Sequence, residues 1–249
     1  MPFALTDVSF LQAVLIVTTA FFASIIGGLA GYGTGLLLPL VLVPIVGAQA
    51  AVPVMALAAL FTNTSRAIAF RTQIHWHSVA TALPLAIIAT IAAATLFTSL
   101  NQRGAAIVVG SVLMALVPLR HILQKVGYQL NTPGLAAGGG LYGFVTGTST
   151  GAGVILVSIL MAAGLSGTAV VATDAAISIA IGLAKVFTFT SLGALPLPLL
   201  IFGILVGVST IPGAFVAKKL AGKITATAHN WLLDVAVLVG GAVMMLRAL

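Results

Sequence analysis

The chain has 249 residues, of which 61% are hydrophobic and 5% are charged, and its formal net charge is +7. Soluble domains have roughly 25% charged residues, so this composition excludes an ordinary soluble domain and indicates a polytopic membrane protein. The ten Lys and Arg residues are scattered over segment ends, which is typical of membrane topology signals and not of nucleic-acid binding. The absence of cysteine excludes disulfides and thiolate metal sites, and we predict no metal and no cofactor.

Ten hydrophobic segments follow one another, and several reach the roughly 20 residues that cross a bilayer as a helix. The alternation typical of outer-membrane strands is missing, so we predict an all-α membrane protein with 8–10 spans. We predict no cleaved signal peptide. Segments 33–47, 134–148 and 152–164 are short for a span. The ten segments lie near 8–28, 33–47, 50–70, 78–98, 103–121, 134–148, 152–164, 167–190, 196–217 and 228–247.

A glycine-rich stretch, GGLAGYGTG at residues 27–35, interrupts the first hydrophobic region. It lacks the Thr-Val that precedes Gly-Tyr-Gly in a potassium filter, and it lacks the strand-to-helix setting of a dinucleotide loop. A break in a membrane helix remains, and such backbone is tolerated only where it is buried in protein or lines a cavity. The alternative is that these glycines only allow close helix packing.

Two pairs of segments can each be interpreted as a hairpin, a re-entrant pair or one broken helix. They are 8–28 with 33–47 and 134–148 with 152–164. The first two interpretations gather most basic residues on one face, whereas the third divides them equally. The gathered residues are Arg71, Arg120, Lys125, Lys218, Lys219 and Lys223, with Arg103 and Arg247 opposite. By the positive-inside rule we predict that both pairs return to the side from which they entered, in a multi-pass protein with both termini outside.

The two halves of the chain share a pattern. A shift that places Gly31, Gly33 and Gly35 on Ser149, Gly151 and Gly153 also places Arg66 on Lys185 after a short insertion. With five segments in each half, the second half must be inverted relative to the first. We therefore predict two inverted repeats, 1–128 and 129–249, with paired glycine-rich helix breaks, an architecture of secondary transporters.

The breaks and two cations inside predicted spans form a candidate anion site. Helix starts after a break present free N–H groups to an anion. Arg66 and Lys185 are the only basic residues well inside predicted spans, although snorkelling to an interface is an alternative for both. The predicted substrate-binding residues are Gly31, Tyr32, Gly33, Thr34, Asn63, Arg66, Thr148, Ser149, Thr150, Gly151 and Lys185.

Asp174 lies about two turns into the 167–190 segment, where an ionised carboxylate requires a partner. At about 100° per residue, Asp174, Ser178 and Lys185 share one helix face. Two interpretations stay open. Asp174 is either the proton-coupling residue, whose protonation is linked to anion binding, or one member of a structural ion pair with a cation from another helix.

The stretch GGLAGYGTGLLLPLVLVPIVGAQAAVPVMALAALFTNTSRAIAFRTQIHWHSVATALPLAI resembles the first repeat of the sulfite exporter TauE/SafE family. Members of that family show a glycine cluster followed by L-x-P-L-L, an A-V helix and a basic-rich loop ending in hydrophobic-x-Trp. Gly153 to Pro198 is similar to the second repeat. The resemblance implies a transporter that moves sulfite, a sulfonate or a related sulfur oxyanion across the cytoplasmic membrane, driven by an ion gradient.

We therefore predict a proton-coupled secondary transporter that exports sulfite or an organosulfonate. Its partners are a small anionic substrate, protons and the lipid bilayer, without nucleic acid, and a homodimer is left open. We predict no enzyme, because the sequence offers no nucleophile with a base, no H-E-x-x-H site and no phosphate-binding loop. The alternatives are an anion or ion channel, which would give ohmic flux, and a non-catalytic membrane scaffold, which would give none.

Overall fold

The computed structural model describes residues 8–30, 33–125 and 129–220, and within these ranges all regular structure is helical. This confirms the all-α prediction. The predicted segment 228–247 lies outside the described residues, as do Gly31 and Tyr32. The helices are α1 (Phe10–Ala30), α2 (Thr34–Val46), α3 (Ala48–Ala69), α4 (Trp76–Thr98), α5 (Gln102–Lys125), α6 (Thr132–Thr148), α7 (Gly153–Ala162), α8 (Thr168–Ser191) and α9 (Leu197–Leu220).

Five helices, α1, α3, α4, α8 and α9, are long and apolar enough to cross a membrane. Helices α2 and α7 are shorter, with 13 and 10 residues. At 1.5 Å per residue they span roughly 20 Å and 15 Å, less than the roughly 30 Å of a hydrocarbon core. The chain is thus a multi-pass membrane protein in which two apolar helices stop partway through the bundle.

Both short helices follow a reversal of the chain. The Thr34 hydroxyl, at the start of α2, donates a hydrogen bond to the carbonyl of Ala23, two turns back along α1 (3.2 Å). In the second half, the Leu130 N–H donates to the carbonyl of Ala162 (2.8 Å), so the end of α7 lies beside the segment that leads into α6. A straight helix with one break cannot make these contacts, and the broken-helix interpretation is therefore excluded for both pairs.

The direction of the helices places the described basic residues of the helix ends and loops at the two ends of the bundle. Helices α3 and α9 run parallel, because Gly203 packs against Leu57 and Gly207 against Phe61. Their basic C-terminal ends, with Arg71 following α3 and Lys218 and Lys219 in the last turn of α9, therefore lie at one end of the bundle. Helix α5 starts at the other end, where the Gln102 side chain accepts from the N–H of Gln49 at the start of α3 (3.3 Å). Arg103 follows Gln102, so this arrangement agrees with the predicted grouping of the basic residues.

Small residues set the distance between the outer helices and their neighbours. Helix α6 packs on α4 with Gly139 and Gly143 so close that an added Cβ would lie 2.4 Å and 2.2 Å from the carbonyl oxygens of Ala82 and Ala86. Helix α1 packs on α9 in the same manner, with Gly213 against the Phe21 carbonyl. Such backbone contact is typical of membrane helices, where van der Waals packing replaces the hydrophobic effect. Helices α3 and α8 lie side by side in the centre of the bundle.

Candidate functional site

The two helix breaks meet in the centre of the bundle. A Cβ added to Gly35, at the start of α2, would lie 2.7 Å from the backbone nitrogen of Gly151, just before α7. Gly151 itself has a φ of 80°, in the left-handed region that favours glycine. Side chains at these two positions would push the breaks apart. The glycines are therefore needed both for the turn and for the contact between the two halves.

A cavity of about 110 Å³ opens where these breaks face α3, α6 and α8. Its wall includes the first residues of α2 and α7, and neither helix start has a side-chain cap. Uncapped N–H groups at a helix start carry a partial positive charge and attract anions. Nine predicted site residues line the cavity: Gly33, Thr34, Asn63, Arg66, Ser149, Thr150, Gly151, Asp174 and Lys185.

Arg66 and Asp174 form a buried ion pair across α3 and α8. Arg66 Nη2 lies 2.6 Å from Asp174 Oδ2, and the two side chains are 4% and 1% exposed. The guanidinium also donates to Asn63 Oδ1 (3.1 Å) and to the Val171 carbonyl (3.3 Å). Two buried charges are tolerated in a membrane when each compensates the other. The pair therefore joins the two central helices and is close to neutral as a unit.

Lys185 is also buried, but its partners are uncharged. Its Nζ donates to the carbonyl oxygens of Thr146 and Ser149 (2.7 Å for the latter), at the end of α6. Among the described residues no carboxylate lies within 4.0 Å of Nζ. The ammonium also lies 5.8 Å from the ring centre of Phe189, one turn further along α8. Carbonyls at a helix C-terminus attract a cation without neutralising it, so an ammonium at Lys185 adds one positive charge beside the cavity.

Four buried polar atoms at the site have no hydrogen-bond partner within the described ranges. They are Arg66 Nε, Thr146 Oγ1, Thr150 Oγ1 and Asp174 Oδ1. All four residues line the cavity. Buried polar atoms are normally hydrogen-bonded, so these four atoms are available to water or to a polar ligand in the cavity. Within the same part of the chain, no three His, Asp or Glu side chains come together as they would around a metal ion.

A family model described as sulfite exporter TauE/SafE matches residues 16–244. The chain belongs to this family. The resemblance predicted from the two glycine-rich regions is thereby confirmed, and so is the assignment as a membrane transporter. No curated protein and no solved structure matches the chain.

The geometry excludes one of the alternatives for the charged residues of this TauE/SafE protein. Snorkelling of Arg66 and Lys185 is wrong, because the two side chains are only 4% and 3% exposed and face the cavity. Asp174 is paired with a cation from another helix, as the ion-pair interpretation predicted, and its role in proton coupling stays a prediction. As predicted, Asp174 and Lys185 share a helix face with Ser178, and all three line the cavity.

Thr148 is not among the residues that line the cavity. Its hydroxyl is bonded back to the carbonyls of Phe144 and Val145 within α6. The sequence reasoning missed Tyr142 and Thr146, which lie one turn apart on α6 and do line the cavity. The Tyr142 hydroxyl is hydrogen-bonded to Ser178 (2.8 Å). Their spacing of four residues, ending one turn before the break, was the signal that could have identified them.

Proposed function

We propose that this TauE/SafE transporter exports a small sulfur-containing oxyanion, sulfite or an organosulfonate, in a cycle linked to proton binding. The proposal rests on one observation. A single cavity is lined by the starts of α2 and α7 and by the amine of Lys185. Each helix start contributes roughly half a positive charge. Inside a bilayer such a concentration of positive potential is costly unless an anion occupies it.

The proposed substrate contacts follow from the wall of the cavity. Lys185 has three N–H donors and uses two of them on carbonyls, which leaves one for the anion. Arg66 Nε and the hydroxyls of Thr146 and Thr150 are further donors without partners in the described part of the chain. An oxyanion with three oxygens suits such a ring of separate donors.

We propose that transport proceeds by alternating access between two inverted repeats, 1–128 and 129–249. Helix pairings support this division. The parallel pair α1 and α9 corresponds to the parallel pair α6 and α4. The equivalent helices α3 and α8 run antiparallel, because Leu60 packs against Gly182 and Arg66 contacts Asp174. The glycines with positive φ at the breaks also correspond, Gly33 with Gly151. Motion of one repeat against the other around a fixed central site is typical of such carriers.

Asp174 is the proposed proton-sensitive residue. It is the one carboxylate that lines the cavity within the described ranges, and Arg66, Lys185 and Tyr142 are the titratable groups that line it with Asp174. Protonation of Asp174 would leave the Arg66 charge without its partner and would strengthen the attraction for an anion. Proton and anion binding would then favour each other, with the same coupling free energy in both directions. Export as the direction rests on the family description.

The test is flux in proteoliposomes. Sulfite and a small panel of sulfonates and carboxylates are offered to purified protein, with and without an imposed pH gradient. The proposal predicts saturable sulfite flux that responds to the gradient and loses that response in Asp174→Asn. Flux that increases linearly with concentration and ignores a counter-gradient would instead support the channel alternative, and no flux of any anion would contradict transport of this cargo class.

A further inference from the structure

The charge of the cavity wall is set by three side chains. Among the described residues these are Arg66, Asp174 and Lys185. The 2.6 Å contact between Arg66 Nη2 and Asp174 Oδ2 makes the first two a neutral pair, so Lys185 leaves the site with one net positive charge. An anion with one negative charge would neutralise the site. A dianion would leave a negative charge buried in the bilayer, which is costly.

The wall also contains an acceptor that an oxyanion without a hydroxyl group cannot satisfy. Asp174 Oδ2 is bonded to Arg66, but Asp174 Oδ1 has no partner within the described ranges and the side chain is 1% exposed. An ionised carboxylate oxygen only accepts hydrogen bonds. The oxygens of a sulfonate or of a sulfite dianion also only accept, so next to Asp174 Oδ1 they would add repulsion. A hydroxyl on the cargo would remove the cost of the unpartnered acceptor.

We infer that the cavity selects a cargo with a single negative charge that also carries a hydroxyl group, and that Asp174 recognises the hydroxyl. Hydrogen sulfite and hydroxyalkanesulfonates have this chemistry, whereas sulfate and the sulfite dianion do not. The inference rests on the proposed transport function and concerns which anions that site accepts. Hydrogen sulfite brings its own proton to Asp174, so for this cargo the proton linkage and the hydroxyl requirement are met by the same hydrogen atom.

Two matched pairs of anions separate the two parts of the inference. Methanesulfonate and sulfate have similar size and differ in charge, and 2-hydroxyethanesulfonate and ethanesulfonate have equal charge and differ by one hydroxyl. Uptake into proteoliposomes is measured at constant pH without a gradient. We expect methanesulfonate to enter at least about tenfold faster than sulfate, because a buried excess charge is costly. We expect the hydroxylated sulfonate to enter about tenfold faster than ethanesulfonate.

Two variants assign these preferences to Asp174. Asp174→Asn adds one positive charge to the wall with little change of shape, and the methanesulfonate-to-sulfate ratio should then fall by about tenfold or more. The double variant Arg66→Met/Asp174→Leu keeps the net charge of the wall but removes the acceptor. It should still prefer methanesulfonate over sulfate, and it should no longer distinguish the hydroxylated sulfonate from ethanesulfonate. If Asp174→Asn fails to fold, the wild-type ratios still test charge selection, and the double variant still tests whether Asp174 recognises the hydroxyl.

The outcomes separate this inference from the proposed function. If anions enter but sulfate is as fast as methanesulfonate, charge selection is wrong while anion transport stands. If the two ethanesulfonates enter at equal rates, Asp174 does not recognise a hydroxyl. If no anion of the panel enters, the proposed transport function itself fails, and the inference fails with it.

Discussion

Arg66 and Lys185, which the predicted repeat places at matching positions of the two halves, are compensated in different ways. Arg66 is held by a carboxylate, an amide oxygen and a carbonyl, and it joins α3 to α8. Lys185 is held by two carbonyls at the end of α6 and by no carboxylate within the described part of the chain. Two cations that the sequence aligns therefore differ in their partners. Arg66 is paired across the two central helices, and we propose that Lys185 supplies the charge for the substrate.

Removing the charge of Arg66 should have the largest effect, which is a loss of stability. Arg66→Met leaves the Asp174 carboxylate buried without compensation, which costs about 3–5 kcal/mol. Thermal unfolding in detergent measures this. Arg66→Met/Asp174→Leu, which removes both charges, should recover most of the loss. If the double variant is no more stable than Arg66→Met, the two residues do not act as a compensating pair.

Removing the charge of Lys185 should affect transport more than stability. Lys185→Met removes the uncompensated charge at the cavity, and we expect sulfite flux at low concentration to fall by about 100-fold, or about 3 kcal/mol. Lys185→Arg keeps the charge and should lose less. Lys219→Met, at the exposed end of α9, is the control and should behave as the wild type. Equal losses in Lys185→Met and Lys219→Met would remove Lys185 from the site.

The contact between the two breaks gives a third, smaller effect. Gly35→Ala places a methyl group 2.7 Å from the Gly151 nitrogen, so the breaks must separate, at a cost of about 1–3 kcal/mol in unfolding free energy. Gly140→Ala on α6 is the matched control, because its new methyl group would lie 3.5 Å from the Leu85 side chain, an ordinary contact. If both variants unfold at the same temperature, the breaks are not tightly packed.

The aromatic neighbour of Lys185 should have the smallest effect. Phe189→Leu removes a ring 5.8 Å from Nζ, and a cation–π contact of this kind contributes about 1 kcal/mol. The sulfite concentration at half-maximal flux should change by no more than about fivefold. Phe187→Leu, on the lipid-facing side of the same helix and 73% exposed, should leave it unchanged. A change in Phe187→Leu as large as that in Phe189→Leu would argue against a specific contact.

Much of the fold followed from the sequence because hydrophobic length is a strong signal in membrane proteins. The predicted segment 78–98 is the helix Trp76–Thr98, and 152–164 is Gly153–Ala162. The burial of Arg66 and Lys185 was also predictable, since a cation well inside a span needs a polar environment. The glycine-rich breaks were recognisable because few other structures tolerate such backbone within a bilayer.

The rest of the site depends on contacts between distant parts of the chain. Asp174 is paired with a residue 108 positions away, and helix periodicity indicates a face but not the helix opposite it. Thr148 was predicted to line the site because it lies next to Ser149 at the break. It is the last residue of α6, and there the helix carbonyls satisfy its hydroxyl. Tyr142 has an apolar sequence environment, and only the packing of α6 on the centre of the bundle brings it to the cavity.

The most direct experiment asks whether the anion occupies this cavity. The chain has no cysteine, so Ser178→Cys at the cavity wall and Thr95→Cys on the exposed face of α4 each provide a single thiol. Labelling by N-ethylmaleimide is followed with increasing 2-hydroxyethanesulfonate. If the anion occupies the cavity, we expect saturable protection of the thiol at position 178 and none at position 95. Labelling of both thiols at rates that the anion does not change would contradict this expectation.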